Sequence, residues 1–333
     1  MKTIIQVDTV RYFWDGNGSA SSEAPLPNLL NQNQKFLENT KSNFPFLSLN
    51  LNGKSPESSL QDPDNFKTLL NHLKHKGWPL DQKHEFVVDS EILTKIATEK
   101  SEGKFEGKFR VVQKSGVIFA WNQEKEEENL LQKKFEETFK NFFVENSEDS
   151  DDVRAIYQAR IPIGNGISAK ILYSGKVDGI GANHQHYSFK VIRFATTTFD
   201  FWKEKSCKFF WSSVFGNVPN LVIGTRTGTE KEDPKTREPL CYPELSIYKI
   251  ENLPQEEIPS LAEKYAKKPK STFSLWSIMD GEKRLQEFFK LVKTTVTQDD
   301  AIFEFSKVDG NWRIEEVEGF GDMEYLDLIN QLF

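Results

Sequence analysis

The segment from Ser168 to Thr227 constrains this chain most, because its apolar residues change period twice within it. They alternate, then recur at helical spacing over Phe201 to Phe215, then alternate again. The segment therefore reads strand, loop, strand, amphipathic helix, strand. Lys176 and Asp178 are two apart on one predicted strand, and Ser188 and Lys190 are two apart on the next. Alternate strand residues share a face, so the two pairs can converge on one polar patch.

A phosphodiester-cleaving site with the spacing E-x-D…E-x-K needs three or four carboxylates to hold divalent ions, and a lysine to orient water or steady developing charge. This chain offers K-x-D and S-x-K instead. From spacing alone the plainer alternative, two half-buried strands with a polar face, outweighs a site.

Composition excludes several classes. With 333 residues, 37% hydrophobic and 28% charged, the chain can bury a large core, as an ordinary globular protein does. A net charge of −7 argues against indiscriminate coating of nucleic acid, although a basic groove can coexist with an acidic remainder. The two cysteines, Cys207 and Cys241, form neither a metal-ligand spacing nor a disulfide framework. No apolar run is long enough to span a bilayer, and the N-terminus is too polar for a signal peptide. A cytoplasmic and/or nuclear, non-secreted protein with no membrane partner is expected.

Residues 1–60 are rich in Asn, Ser, Pro and Gly around the apolar piece Phe44 to Leu51, and read as an arm laid over a body. Helices are expected over Asn65 to Lys76, Ser90 to Ala97, Glu124 to Phe143 and Ser274 to Thr295. Hairpins are expected within Lys104 to Trp121, across Gly164-Asn165-Gly166 and across Asp309-Gly310. Glu145 to Asp152 reads as an acidic loop, Gly228 to Pro239 as a charged surface loop, and the basic run Lys264 to Lys270 as a solvated helix end. His184 and His186 could share a strand face, but two ligands without a third make a weak metal site, and a solvated loop is the favoured reading. His72, His75 and His84 fall on a polar helix face or in a loop.

Ordered motifs in this framework resemble the DXO family of eukaryotic decapping nucleases, which remove incomplete or non-canonical caps from RNA 5′ ends and degrade the body 5′ to 3′. The family's LLFSGEVD resembles ILYSGKVD, Ile171 to Asp178. Its E-L-K is similar to Ser188, Phe189 and Lys190, and its GVPN-x-x-x-G-x-R to NVPNLVIGTR, Asn217 to Arg226. G-Y-K-F-E-Q resembles QKKFEE, Gln132 to Glu137, and T-V-V-Q-D-D resembles TVTQDD, Thr295 to Asp300. ILTKIA, Ile92 to Ala97, and VRYF, Val10 to Phe13, extend the likeness from near the N-terminus to about Glu318. The resemblance implies an α+β fold of two twisted mixed β-sheets flanked by helices, related to D-(D/E)-x-K nuclease cores, in one domain spanning residues 1–333.

It also implies a site, and the departures weaken that site. Glu136, Asp178 and Lys190 occupy retained family positions, and Glu136 and Asp178 are the residual metal ligands. Ser90, Lys176 and Ser188 stand where the family has an arginine and two glutamates, and Gln132 replaces a glycine. Lys208, Ser212 and Arg226 are the implied substrate-binding residues. Four carboxylates and one lysine carry −3, whereas Glu136, Asp178, Lys176 and Lys190 sum to zero. An ammonium about 4 Å from a divalent ion repels it by roughly 8 kcal/mol at an effective dielectric of about 20, so Lys176 is expected to pair internally with Glu136 and Asp178. The expected cofactor is none, or weakly held Mg2+ or Mn2+. RNA 5′ ends and a protein partner are the candidate partners, with no specificity for DNA. The expected role is RNA 5′-end quality control by binding with impaired chemistry; an active metal-dependent decapping nuclease and 5′–3′ exoribonuclease, and a protein-interaction scaffold, are the alternatives.

Overall fold

Runs of β-branched and aromatic residues form two mixed sheets and a short ribbon. The computed structural model describes residues 3–14, 28, 49–51, 64–76, 84–99, 107–123, 130–145, 153–181, 183–193, 196–227, 229–232, 239–242, 246–268, 275–319 and 321–333. In chain order the strands are β1 (Gln6–Trp14), β2 (Leu49–Asn50), β3 (Phe86–Val88), β4 (Lys108–Lys114), β5 (Val117–Asn122), β6 (Val153–Gly164), β7 (Ile167–Lys176) and β8 (Gly179–Ile180). They continue as β9 (His186–Ile192), β10 (Asn220–Arg226), β11 (Thr229–Glu232), β12 (Pro239–Tyr242), β13 (Ser246–Pro254), β14 (Ile302–Val308) and β15 (Asn311–Glu316). The α-helices are α1 (Asn65–Lys76), α2 (Ser90–Thr98), α3 (Leu130–Asn141), α4 (Ser206–Phe215), α5 (Ile258–Ala266), α6 (Ile278–Thr295) and α7 (Met323–Asn330).

The larger sheet has the order β1-β6-β7-β3-β5-β4-β14-β15, in which β3 runs parallel to both β5 and β7. The smaller sheet has the order β2-β13-β10-β9-β8, with β9 and β10 parallel. Three hairpins turn over Ser115-Gly116, Asn165-Gly166 and Asp309-Gly310, every one of these residues at positive φ. That is the backbone of a two-residue turn whose twist matches the flanking strands. The expected α+β architecture of two mixed sheets with flanking helices is the observed one.

Helices cover both faces of each sheet. Phe66, Leu69, Leu70 and Leu73 of α1 pack with Val87, Phe119, Trp121 and Leu172 on one face of the larger sheet. Leu285, Phe288 and Phe289 of α6 bury the other face, together with α2 and α4. In the smaller sheet Tyr187, Phe189 and Val191 turn toward Phe135 and Phe139 of α3. Leu221 and Ile223 turn the opposite way, into the core with α4 and α5. Gly224 lets α3 approach β10 closely: a Cβ there would stand 3.0 Å from Cζ of Phe139.

Several expectations are corrected. Gln6–Trp14, part of the expected arm, pairs antiparallel with β6 and forms an edge of the larger sheet, because its Val, Thr, Tyr and Phe residues fit a pleated, half-buried surface. Thr229–Glu232, within the expected charged loop, pairs antiparallel with Pro239–Tyr242, which begins at the end of that loop; backbone pairing in a ribbon needs no apolar alternation. The last long helix starts at Ile278, not Ser274, because Ser277 caps it by accepting from the Met279 N–H. A π-helical turn, Phe201–Lys205, precedes α4. Residues 124–129 of the expected acidic helix start and most of the acidic loop lie outside the described residues.

The histidines differ most from expectation. His72 is fully buried and stacks on Phe13, with ring centroids 4.3 Å apart. His84 is buried too, within reach of Gln158, whereas His75 is exposed as expected. His184 lies in an exposed turn, but His186 is buried within β9.

Candidate functional site

The end of β7, one face of β9, α3 and α4 enclose a cavity of about 790 Å³. The chain leaves the larger sheet at Lys176 and enters the smaller one at β8, so Asp178 lies in the crossing between the sheets. The two residues expected on one strand are thus separated by a strand end, yet both line the cavity. Tyr187, Phe189 and Val191 pack apolarly against α3; Ser188 and Lys190 alternate with them along β9 and line the cavity, where the long Lys190 side chain reaches α3 at Glu136.

Every carboxylate of the expected cluster is already engaged. Asp178 Oδ2 accepts from the Ser188 hydroxyl at 2.7 Å and from the Phe189 N–H at 3.2 Å. Glu136 Oε2 accepts from Lys190 at 3.0 Å, and its Oε1 accepts from the Gln132 amide at 2.9 Å. The same Gln132 nitrogen donates to the Val191 carbonyl at 2.6 Å, tying α3 to the edge of β9. Lys176 was expected to pair with Glu136 and Asp178; it pairs instead with Glu137, at 3.0 Å. Adjacent residues of a helix point about 100° apart, so Glu136 meets β9 while Glu137 turns toward β7.

Glu137 is the residue the sequence reading missed. Its side chain is 6% exposed and that of Lys176 is 22% exposed. The only sequence signal was its place beside Glu136 in QKKFEE; its partner lies 39 positions away. Arg154, opposite Lys176 on β6, is also buried and donates to Asn65, another cavity residue.

The other expected positions converge as well. Ser90 is the first residue of α2, behind the capping carboxylate of Asp89, and lines the cavity. Burial, with Glu91 nearby, pushes the Asp89 carboxyl up to about 7. Lys208 and Ser212 sit one turn apart on the cavity side of α4. Arg226, buried at the end of β10, holds its guanidinium 5.1 Å from the centre of the Phe135 ring, a distance at which cation and π face attract.

His186 closes the floor. Its Nε2 lies 2.7 Å from the Tyr12 hydroxyl and its Nδ1 3.1 Å from the Gly216 carbonyl. A carbonyl only accepts, so Nδ1 carries the proton and Nε2 accepts from Tyr12. Burial lowers the His186 pKa, which keeps the ring neutral, although the Gly216 bond and the charge of Asp178 oppose the shift. The imidazole joins β1, β9 and the end of α4 as a structural tie.

Glu136, Glu137 and Asp178 are each engaged by donors of the protein itself. Among the described residues no group of three or more His, Cys, Asp or Glu side chains is arranged to hold a metal. The carboxylates that could contribute face ammonium, amide and hydroxyl donors. Among the described residues no helix is long and apolar enough to cross a membrane.

No protein-family model matches the chain, and no curated protein matches it by sequence. Solved structures do. Scheffersomyces stipitis Rai1 superposes with a TM-score of 0.67 at 14% identity, covering 99% of this chain and 94% of that one. Candida albicans Rai1, in complex with pU5-Mn2+, gives 0.66 at 14% identity over 100% and 97% of the two chains. K. lactis Dxo1, in complex with manganese, gives 0.66 at 10% identity over 96% and 92%. This chain has the fold of the Rai1 and Dxo1 proteins, the fold that its resemblance to the DXO family implied.

Proposed function

We propose that this chain acts as one domain over residues 1–333 in quality control of RNA 5′ ends, binding those ends in the cavity between its two sheets, with impaired or absent hydrolytic chemistry. The observation that carries this reading is the engagement of the cavity carboxylates: Glu136 with Lys190, Glu137 with Lys176, and Asp178 with Ser188. Two or three carboxylates neutralised by two ammonium groups do not offset the cost of dehydrating magnesium or manganese. Glu136, Asp178 and Lys190 are then a retained but disarmed set. Lys208, Ser212 and Arg226 are the groups toward which an RNA end would lie. Candida albicans Rai1 in complex with pU5-Mn2+ supports RNA as the ligand class.

The manganese in that structure and in K. lactis Dxo1 supports a rival reading, an active metal-dependent decapping nuclease. One experiment separates the two. Release of caps and nucleotides is measured from 5′-triphosphate, unmethylated-cap, NAD-capped and 5′-monophosphate RNA with magnesium or manganese. Wild type is compared with the triple reversion Lys176→Glu, Ser188→Glu, Ser90→Arg. The expected result is no turnover by wild type and recovered metal binding in the triple variant, because ligands that share an ion act as a unit and single reversions leave an incomplete shell. Robust turnover by wild type refutes the impaired reading and establishes the nuclease. A folded wild type that binds no RNA favours the protein-interaction scaffold.

A further inference from the structure

The charge around the cavity departs from the charge of the whole chain. The protein carries −7 overall. Among the described residues eight basic and five acidic side chains line the cavity, an excess of three positive charges. The excess is not uniform. At the centre, Glu136, Glu137 and Asp178 meet Lys176 and Lys190, leaving one negative charge distributed over internal pairs. Around them six basic side chains face two acidic ones, Asp200 and Glu204. Clefts lined by one sign of charge, with low-dielectric walls, focus field and raise the local concentration of the opposite ion.

We infer that this cavity binds a phosphorylated RNA 5′ end without any divalent cation. The inference rests on the RNA-end reading above and goes beyond it. A site built from several carboxylates repels phosphate until a metal reverses its sign. Here the ammonium groups of Lys176 and Lys190 offset two of the three central carboxylate charges from within the fold, and the surrounding basic side chains supply the positive field. The phosphate lies toward α4, where Lys208 is exposed on the cavity side and can give a charge-assisted hydrogen bond. Phe209, half-buried beside it, offers ring surface to the first base. The cavity's 790 Å³ lies within the range that encloses a ligand of nucleotide size.

The test is fluorescence anisotropy with a short single-stranded oligoribonucleotide carrying a 5′-monophosphate, beside the same oligonucleotide with a 5′-hydroxyl. Each is titrated with the full chain in EDTA, and again with magnesium or manganese at equal ionic strength. The expected result is tighter binding of the 5′-phosphate form in EDTA, with affinity unchanged within about twofold on adding the divalent ion, and weakening as monovalent salt rises. Lys208→Ala, at an exposed helix position that leaves the fold intact, is expected to weaken the 5′-phosphate form about tenfold and the hydroxyl form much less. Binding that develops only with the divalent ion overturns this inference and leaves RNA-end binding standing. Equal affinity for the two oligonucleotides in EDTA, or no response to Lys208→Ala, overturns recognition of the phosphate at this place. No binding of either oligonucleotide under any condition refutes the RNA-end reading itself.

Discussion

Replacing Lys176 tests whether an internal cation has taken over the electrostatic role of a metal. Lys176 Nζ lies 3.0 Å from Glu137 Oε1. At an effective dielectric of about 20, that separation corresponds to about 5.5 kcal/mol of gross attraction. Desolvation offsets most of this, and removing one partner of a buried pair costs about 3–5 kcal/mol through the charge left behind. Lys176 keeps 22% of its side-chain surface exposed, so solvent screening places Lys176→Met at the lower end, a loss of about 3 kcal/mol. Lys176→Glu goes further. Three carboxylates facing two ammoniums become four facing one, and the local formal charge falls from −1 to −3. That repulsion destabilises the variant by about 1 kcal/mol beyond Lys176→Met in EDTA. Only when Ser188→Glu and Ser90→Arg are added is the shell complete, and an ion at ten times its dissociation constant then returns about 1.4 kcal/mol. Urea denaturation of wild type, both single variants and the triple variant, in EDTA and in millimolar manganese, measures each quantity. Manganese is expected to stabilise the triple variant and to leave wild type and both single variants unchanged. Stabilisation of wild type by manganese, or a loss below about 1 kcal/mol in Lys176→Met, would show that the pair does not stand in for an ion.

Three further outcomes follow from packing and protonation. Gly281→Ala places a methyl 2.4 Å from Cζ2 of Trp211, where α6 crosses α4; overpacking of this kind costs about 1–3 kcal/mol, seen as a lower urea midpoint. Gly224→Ala presses on Cζ of Phe139 at 3.0 Å and shifts α3 with its two glutamates, so RNA affinity drops while circular dichroism still reports a folded chain. Burial, with Arg11 contributing, lowers the His72 pKa from 6.5 to about 4, so between those values the unfolded chain binds the extra proton. Stability due to this group is complete above about pH 6.5 and is lost as pH falls toward about 4. His72→Phe, which keeps a ring against Phe13, is expected to remove that part of the acid sensitivity in thermal melts at stepped pH; an unchanged difference between pH 7 and pH 4 would contradict the assignment.

Local chemistry made much of the fold readable in advance. Positive-φ pairs such as Asn165-Gly166 and Asp309-Gly310 announce hairpins by themselves, and the spacing of Phe66, Leu69, Leu70 and Leu73 identifies α1 with its bounds. The alternation through Tyr187, Phe189 and Val191 fixes Ser188 and Lys190 on one face, toward the cavity. That positions 176 and 188 carry no carboxylate is likewise read from ILYSGKVD and SFK without coordinates. The sequence did not determine partners. That Lys176 reaches Glu137 and not Glu136 depends on the rotation of α3 over the smaller sheet, fixed where Phe139 packs against Gly224. That His186 is a buried tie and not a solvated loop residue depends on Tyr12, 174 positions away, arriving on an edge strand that began as an apparent arm. Periodicity is a property of neighbours along the chain. Which charges neutralise one another is a property of surfaces brought together after the chain has folded, and only the tertiary structure decided that.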